Sequence, residues 1–184
     1  WLESMWLRVL VSNNQEQIIG KLFSISANMP KFLKRFPNTK ILYMVRDPQS
    51  VIPSGLSLVT GVLDKKFGFW SLEKTKRDRF IKRLYSALVE LMRRFQKDWI
   101  SGKIDKDKVM IVHFDRMMND FDGLMSDITQ FLEIEPTEEL LNEIKITSEK
   151  QKSFKSKHKY DLSKFGLTEQ QIKNDCDSVY QSII

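Results

Sequence analysis

The sequence predicts an α/β domain, a parallel sheet flanked by helices, and three observations carry that prediction. Two short apolar runs, residues 39–45 (TKILYMV) and 108–114 (KVMIVHF), have the length and β-branched content of buried strands. Each is followed by residues that start helices. Between them lies a long amphipathic stretch, residues 71–100, long enough to serve as the helical crossover that two parallel strands require. The 184 residues, 41% apolar with 12 Phe and 4 Trp, can fill one sizeable core, so the whole chain, 1–184, reads as a single domain.

In chain order, residues 1–11 (WLESMWLRVLV) have helical character. The chain begins abruptly at Trp1 inside that pattern, without an initiator Met, and reads as a fragment. Residues 22–25 suggest a short strand ending in small polar residues. Residues 29–35 (MPKFLKR) suggest a short helix with a basic outer face and Pro30 in its first turn. Pro37-Asn38 is turn chemistry leading into the central strand. At the far end of that strand Asp47 suits a helix N-cap, because its carboxylate accepts otherwise orphaned N–H groups, and Pro48 suits the first helical position. Pro53 removes one backbone bond inside the helix and is expected to loosen its second turn beside Ser54. Gly55 and Gly61 add slack, and residues 59–69 read as a loop or short helix over a cleft.

In residues 71–100, Phe80, Leu84, Leu88, Leu91, Phe95 and Trp99 recur at three- and four-residue steps and predict one apolar stripe. Most of the Lys and Arg residues around it read as a solvated face. The second strand is closed by Asp115, which with Arg116 reads as a structural strand-end pair. His113 within it reads as a hydrogen-bonded core residue in preference to a base. Met117, Phe121, Leu124, Ile128 and Phe131 mark one further amphipathic helix, and Thr137 caps a short one with Glu138 and Glu139 in its first turn. Residues 148–159 (SEKQKSFKSKHK) are polar and basic, either a solvated linker or a loop that folds over an anion. Thr168 and Gln171 form a capping-box pattern for a last helix, whose apolar edge includes Cys176 as a packed thiol.

Composition narrows the function classes. The formal net charge of +6 favours an anionic ligand or surface, but no nucleic-acid reading motif accompanies it, so nucleic acid is not the expected partner. A single cysteine excludes an internal disulfide and a cysteine zinc set, and weakly favours a reducing, cytoplasmic compartment. No apolar run reaches the ~20 residues of a membrane span.

The chemistry concentrates at the end of the central strand. Arg46 stands at its carboxyl end, the edge at which open α/β sheets bind ligands, and Ser54 follows eight residues later, two turns into the next helix. A forked guanidinium plus a hydroxyl is a donor set for a phosphate. On spacing alone, the alternative is that Arg46 pairs with a neighbouring carboxylate and Ser54 faces a helix neighbour.

The Arg-Asp-Pro after an apolar strand, with Ser eight residues beyond the Arg, the segment KVMIVHFD, residues 121–132 and the closing KHKYDLSKFGLTEQQI together resemble the sulfotransferases that use 3′-phosphoadenosine 5′-phosphosulfate, in particular the bacterial-type branch. The resemblance runs from about Lys21 onward and implies a P-loop NTPase-like fold. It implies that Arg46 and Ser54 hold the donor's 3′-phosphate, and that Lys152, Lys155 and Lys157 belong to a basic loop over the same nucleotide. Lys21 falls where related sequences place a Lys near the acceptor cleft. Many of them carry a His where Ile25 stands here, so the catalytic base is unassigned. The acceptor implied is a hydroxyl or amine of a small molecule or glycan, with no metal required. Relatives begin with a Gly-Ser/Thr-rich, Lys-bearing loop that cradles the 5′-phosphosulfate. No such motif occurs in these residues, which suggests an N-terminally incomplete domain. Two other readings stay open: a P-loop kinase-like nucleotide transferase, and a non-catalytic module that docks an anionic partner through its basic loop.

Overall fold

The computed structural model describes residues 1–153 and 161–184. Strand β1 (Ile41–Val45) and strand β2 (Val109–His113) pair in parallel, with Ile41 opposite Val109 and Val45 opposite His113. Among the described residues the sheet has these two strands and no more, so the expected parallel sheet is present but small and the chain is mostly helical. Pairing begins where Ile41 N–H donates to the Lys108 carbonyl at 2.8 Å. Phe114, expected to end the second strand, instead opens a helix.

Helix α1 (Leu2–Ser12) leans on α2 (Met29–Arg35) through Trp6, whose ring meets Phe32 and Phe36. Residues 22–25 do not form the expected strand. Phe23–Asn28 is a 3₁₀ helix, because Ser24, Ser26 and Asn28 favour local turns and no strand edge is paired with this segment. Helix α3 (Pro48–Phe67) starts at the predicted N-cap, with Asp47 Oδ1 accepting from Gln49 N–H at 2.8 Å. It runs through Pro53 without a break, and of the loop or short helix expected over 59–69 the structure has helix as far as Phe67, as a continuation of α3. The proline costs one N–H early in the helix, while packing of buried Ile52, Leu56 and Thr60 holds the later turns. Gly55 permits close approach to the next helix, since a Cβ there would lie 3.1 Å from Leu88. Gly68 ends α3 in the left-handed region, φ 63°, and Asp64 Oδ1 accepts from Trp70 N–H just beyond.

Helix α4 (Lys74–Ile100) is the crossover between the strands. Its buried residues are Phe95, which the predicted stripe contains, and Ile81, Tyr85 and Val89, which lie one residue beyond Phe80, Leu84 and Leu88, so over its first half the inward face is turned by about one residue. Phe80, Leu84, Leu88 and Trp99 flank it, half-buried. The shift arises because α4 is packed on several sides, against α3, the 3₁₀ helix of Phe23–Asn28 and the C-terminal helices, and a stripe read from sequence assumes one partner. Lys74, Lys76, Arg79, Lys82, Arg83, Arg93 and Arg94 are exposed, as a solvated face requires.

Beyond β2 the single helix expected over 117–131 is two, α5 (Phe114–Asn119) and α6 (Phe121–Phe131), separated at Asp120, whose carboxylate caps Gly123 N–H. Helix α7 (Glu138–Ser153) begins under its predicted Thr137 cap but is 16 residues long. It takes in residues 148–153, which the sequence placed in the basic loop. Ser148, buried on this helix, donates to Asp122 Oδ2 at 2.9 Å, and that contact extends the helix past the polar boundary. Helices α8 (Glu169–Asp175) and α9 (Asp177–Tyr180) close the chain, with Thr168 capping Gln171 N–H as predicted and Cys176 fully buried. Ile172, Cys176 and Val179 share one core with Val45, Ile52 and Tyr85. Among the described residues no helix is long and apolar enough to cross a membrane.

Candidate functional site

The candidate site is the carboxyl edge of the two strands, where both turn into helices. Arg46 leaves β1 exposed, and its guanidinium carbon lies 4.0 Å from the centroid of the Phe114 ring. Phe114 is the first residue of α5 and follows His113, the register partner of Val45, so the parallel pairing brings the cation and the ring to the same edge. Such stacking orients the guanidinium plane while leaving its N–H fork available. No ion pair to Arg46 occurs among the described residues, so the carboxylate partner allowed by the sequence is not found there.

The first turn of α3 supplies the other donors. Asp47 caps it, and the Gln49 side-chain nitrogen is enclosed with no acceptor among the described residues. A helix N-terminus next to a guanidinium that has no ion pair among the described residues is donor chemistry suited to an anion. Ser54 lies half-buried one turn further along and takes part in an interaction of its own. Across the turn, Tyr180 of α9 donates its hydroxyl to Asp47 Oδ1 at 2.5 Å. Burial, followed by this bond, pushes the Tyr180 hydroxyl well above its ordinary pKa, so it remains a protonated donor.

The remaining sequence candidates are spread over other elements. Lys21 is exposed on the segment before the 3₁₀ helix of Phe23–Asn28. Lys152 stands in the last turn of α7, bound to Glu149 at 2.7 Å. Lys155 and Lys157 lie outside the described residues. His113 is exposed at the strand end and not in the core. Arg116 does not pair with Asp115 as expected. It reaches Asp120 at 3.1 Å, the i+4 position that helical geometry favours over a sequence neighbour, and Asp127 of α6 at 2.6 Å, where α5 packs on α6. A shallow groove of about 420 Å³, lined by Arg93, Gln96, Lys97, Ile100, Ser101 and Ser178, lies elsewhere and includes none of the predicted site residues.

Three residues of the edge were missed from sequence: Phe114, Gln49 and Tyr180. Phe114 had a signal, since aligning the two strand ends sets it level with Arg46. Gln49 sat in plain view at the second helical position. Tyr180 had none, because its partner is 133 positions away.

Comparison with protein families matches residues 2–139 to the sulfotransferase family. No curated protein and no solved structure matches the chain. The matched region contains β1, the Arg-Asp-Pro turn, α3, the crossover helix α4 and β2 with the start of α5, and so includes the strand edge at Arg46. This chain belongs to the sulfotransferase family.

Proposed function

We propose that the chain binds 3′-phosphoadenosine 5′-phosphosulfate, or its product adenosine 3′,5′-bisphosphate, and serves sulfuryl transfer to a hydroxyl or amine of a small-molecule or glycan acceptor. The observation that supports this reading is Arg46, unpaired among the described residues and held over Phe114 at the carboxyl edge of the sheet, beside the capped start of α3. In this reading Arg46 and Ser54 hold the 3′-phosphate. Lys152, Lys155 and Lys157 add positive charge over the nucleotide, and Lys21 lies toward the acceptor. The donor supplies an activated sulfuryl group, and the residues named here bind and orient its nucleotide portion. Family membership sets sulfuryl transfer above a kinase-like reading and above a non-catalytic module.

Calorimetry with adenosine 3′,5′-bisphosphate against adenosine 5′-phosphate tests the reading. The bisphosphate binds more tightly, and Arg46→Ala removes about 1.5 to 3 kcal/mol of that preference, the worth of hydrogen bonds to a charged group. Equal affinity for the two nucleotides overturns the proposal. Lys152→Ala weakens the bisphosphate by a smaller, salt-sensitive amount, because its ammonium is exposed and already shared with Glu149.

A further inference from the structure

We infer that Tyr180 is a positioning residue for the Arg46 site, holding the Asp47 carboxylate away from Arg46 so that the guanidinium stays open to an anion. The inference rests on the nucleotide reading above for its consequence, though not for its geometry. Asp47 adjoins Arg46 in sequence and is the nearest carboxylate along the chain to the proposed phosphate position. Left unengaged, it would be a competing partner for the guanidinium and would repel the ligand.

Two donors converge on a single oxygen of that carboxylate. Gln49 N–H reaches Asp47 Oδ1 at 2.8 Å, and Tyr180 Oη reaches the same atom at 2.5 Å. Both bonds are charge-assisted, and together they direct the carboxylate toward the helix start and α9. The first bond is ordinary N-capping and would form in an isolated helix. The second comes from the end of the chain and is made possible by the packing of α8 on α3 and α9 on α4. Ile172, Cys176 and Val179 are buried and seat this C-terminal unit. A second tyrosine, Tyr85 of α4, donates to Asp175 Oδ2 at 2.6 Å and fixes the end of α8 just before α9. The Tyr180 hydroxyl is thus carried on an anchored support, as a positioning group must be.

The test uses Tyr180→Phe, Asp47→Asn and the double variant. Tyr180→Phe keeps the ring in its packing and removes the donor alone. Asp47→Asn keeps an N-cap acceptor and removes the charge. Adenosine 3′,5′-bisphosphate affinity, read by calorimetry, falls about three- to tenfold in Tyr180→Phe, the range for one net hydrogen bond. It returns in the double variant to within about twofold of Asp47→Asn alone. A second readout needs no nucleotide: the Arg46 Nε–H resonance shifts in Tyr180→Phe as Asp47 engages the guanidinium, and the double variant abolishes the shift. An unchanged Arg46 resonance overturns the inference, whatever the nucleotide does. So does an affinity loss that Asp47→Asn leaves unrepaired, because general loosening of the C-terminal helices would not depend on the charge. If the wild-type chain shows no preference for the bisphosphate, the functional proposal fails, and the Arg46 resonance still decides the role of Tyr180.

Discussion

The ring of Tyr43, midway along β1, lies stacked on Phe95 of α4, with centroids 3.4 Å apart and planes 12° from parallel. Phe95 in turn stacks on Trp99 at 5.8 Å, so the crossover helix is joined to the strand that carries Arg46 by a continuous row of aromatic rings.

Phe95 is 1% exposed, and truncating it leaves a ring-sized void between sheet and helix. Phe95→Ala is expected to destabilise the fold by about 3 to 5 kcal/mol, the range for large aromatic deletions in cores. Urea unfolding measures it as a lower midpoint at unchanged slope. A loss below ~1 kcal/mol would mean that this contact does not hold β1 to α4.

Burial against Phe95 pushes the Tyr43 pKa up from 10.0 to about 12. The folded chain therefore keeps a proton that the unfolded chain releases, and the unfolded state binds fewer protons over that interval. Tyr43's contribution to stability is full below pH 10 and is lost as pH rises toward about 12. Denaturation midpoints across this interval fall more steeply in the wild type than in Tyr43→Phe, and equal slopes would contradict the assignment.

Gly123 stands where α6 begins, with its N–H on Asp120 Oδ1 at 3.2 Å. A Cβ there would lie 2.5 Å from that same oxygen, so Gly123→Ala must expel the carboxylate and with it the cap. The expected cost is about 1 kcal/mol, the usual worth of an N-cap. Thermal unfolding reads it directly. Asp120→Ala supplies the comparison, and the double variant should lose little beyond Asp120→Ala, which removes the same cap together with the exposed pair to Arg116.

Local chemistry was legible along the chain because it acts over a few residues. The Asp47 cap, Pro48 at the helix start, Thr137 and Thr168 as caps, the strand cores at 41–45 and 109–113 and the placement of Arg46 at a strand end all follow from short-range steric and hydrogen-bonding rules. The sulfotransferase resemblance was legible for a related reason, since the Arg-Asp-Pro turn and the Ser after it are a contiguous motif. Packing decided the rest. It carried α3 through Pro53 to Phe67, extended α7 over the polar residues 148–153, added Ile81, Tyr85 and Val89 to the buried face of α4, and made a 3₁₀ helix where a short strand was expected. It also placed Phe114 beneath Arg46 and brought Tyr180 to Asp47. Hydrophobic burial is non-directional and depends on which surfaces meet, so no window of neighbouring residues contains it. The sequence by itself determined the cation at the strand end, and only the tertiary structure decided what stands around it.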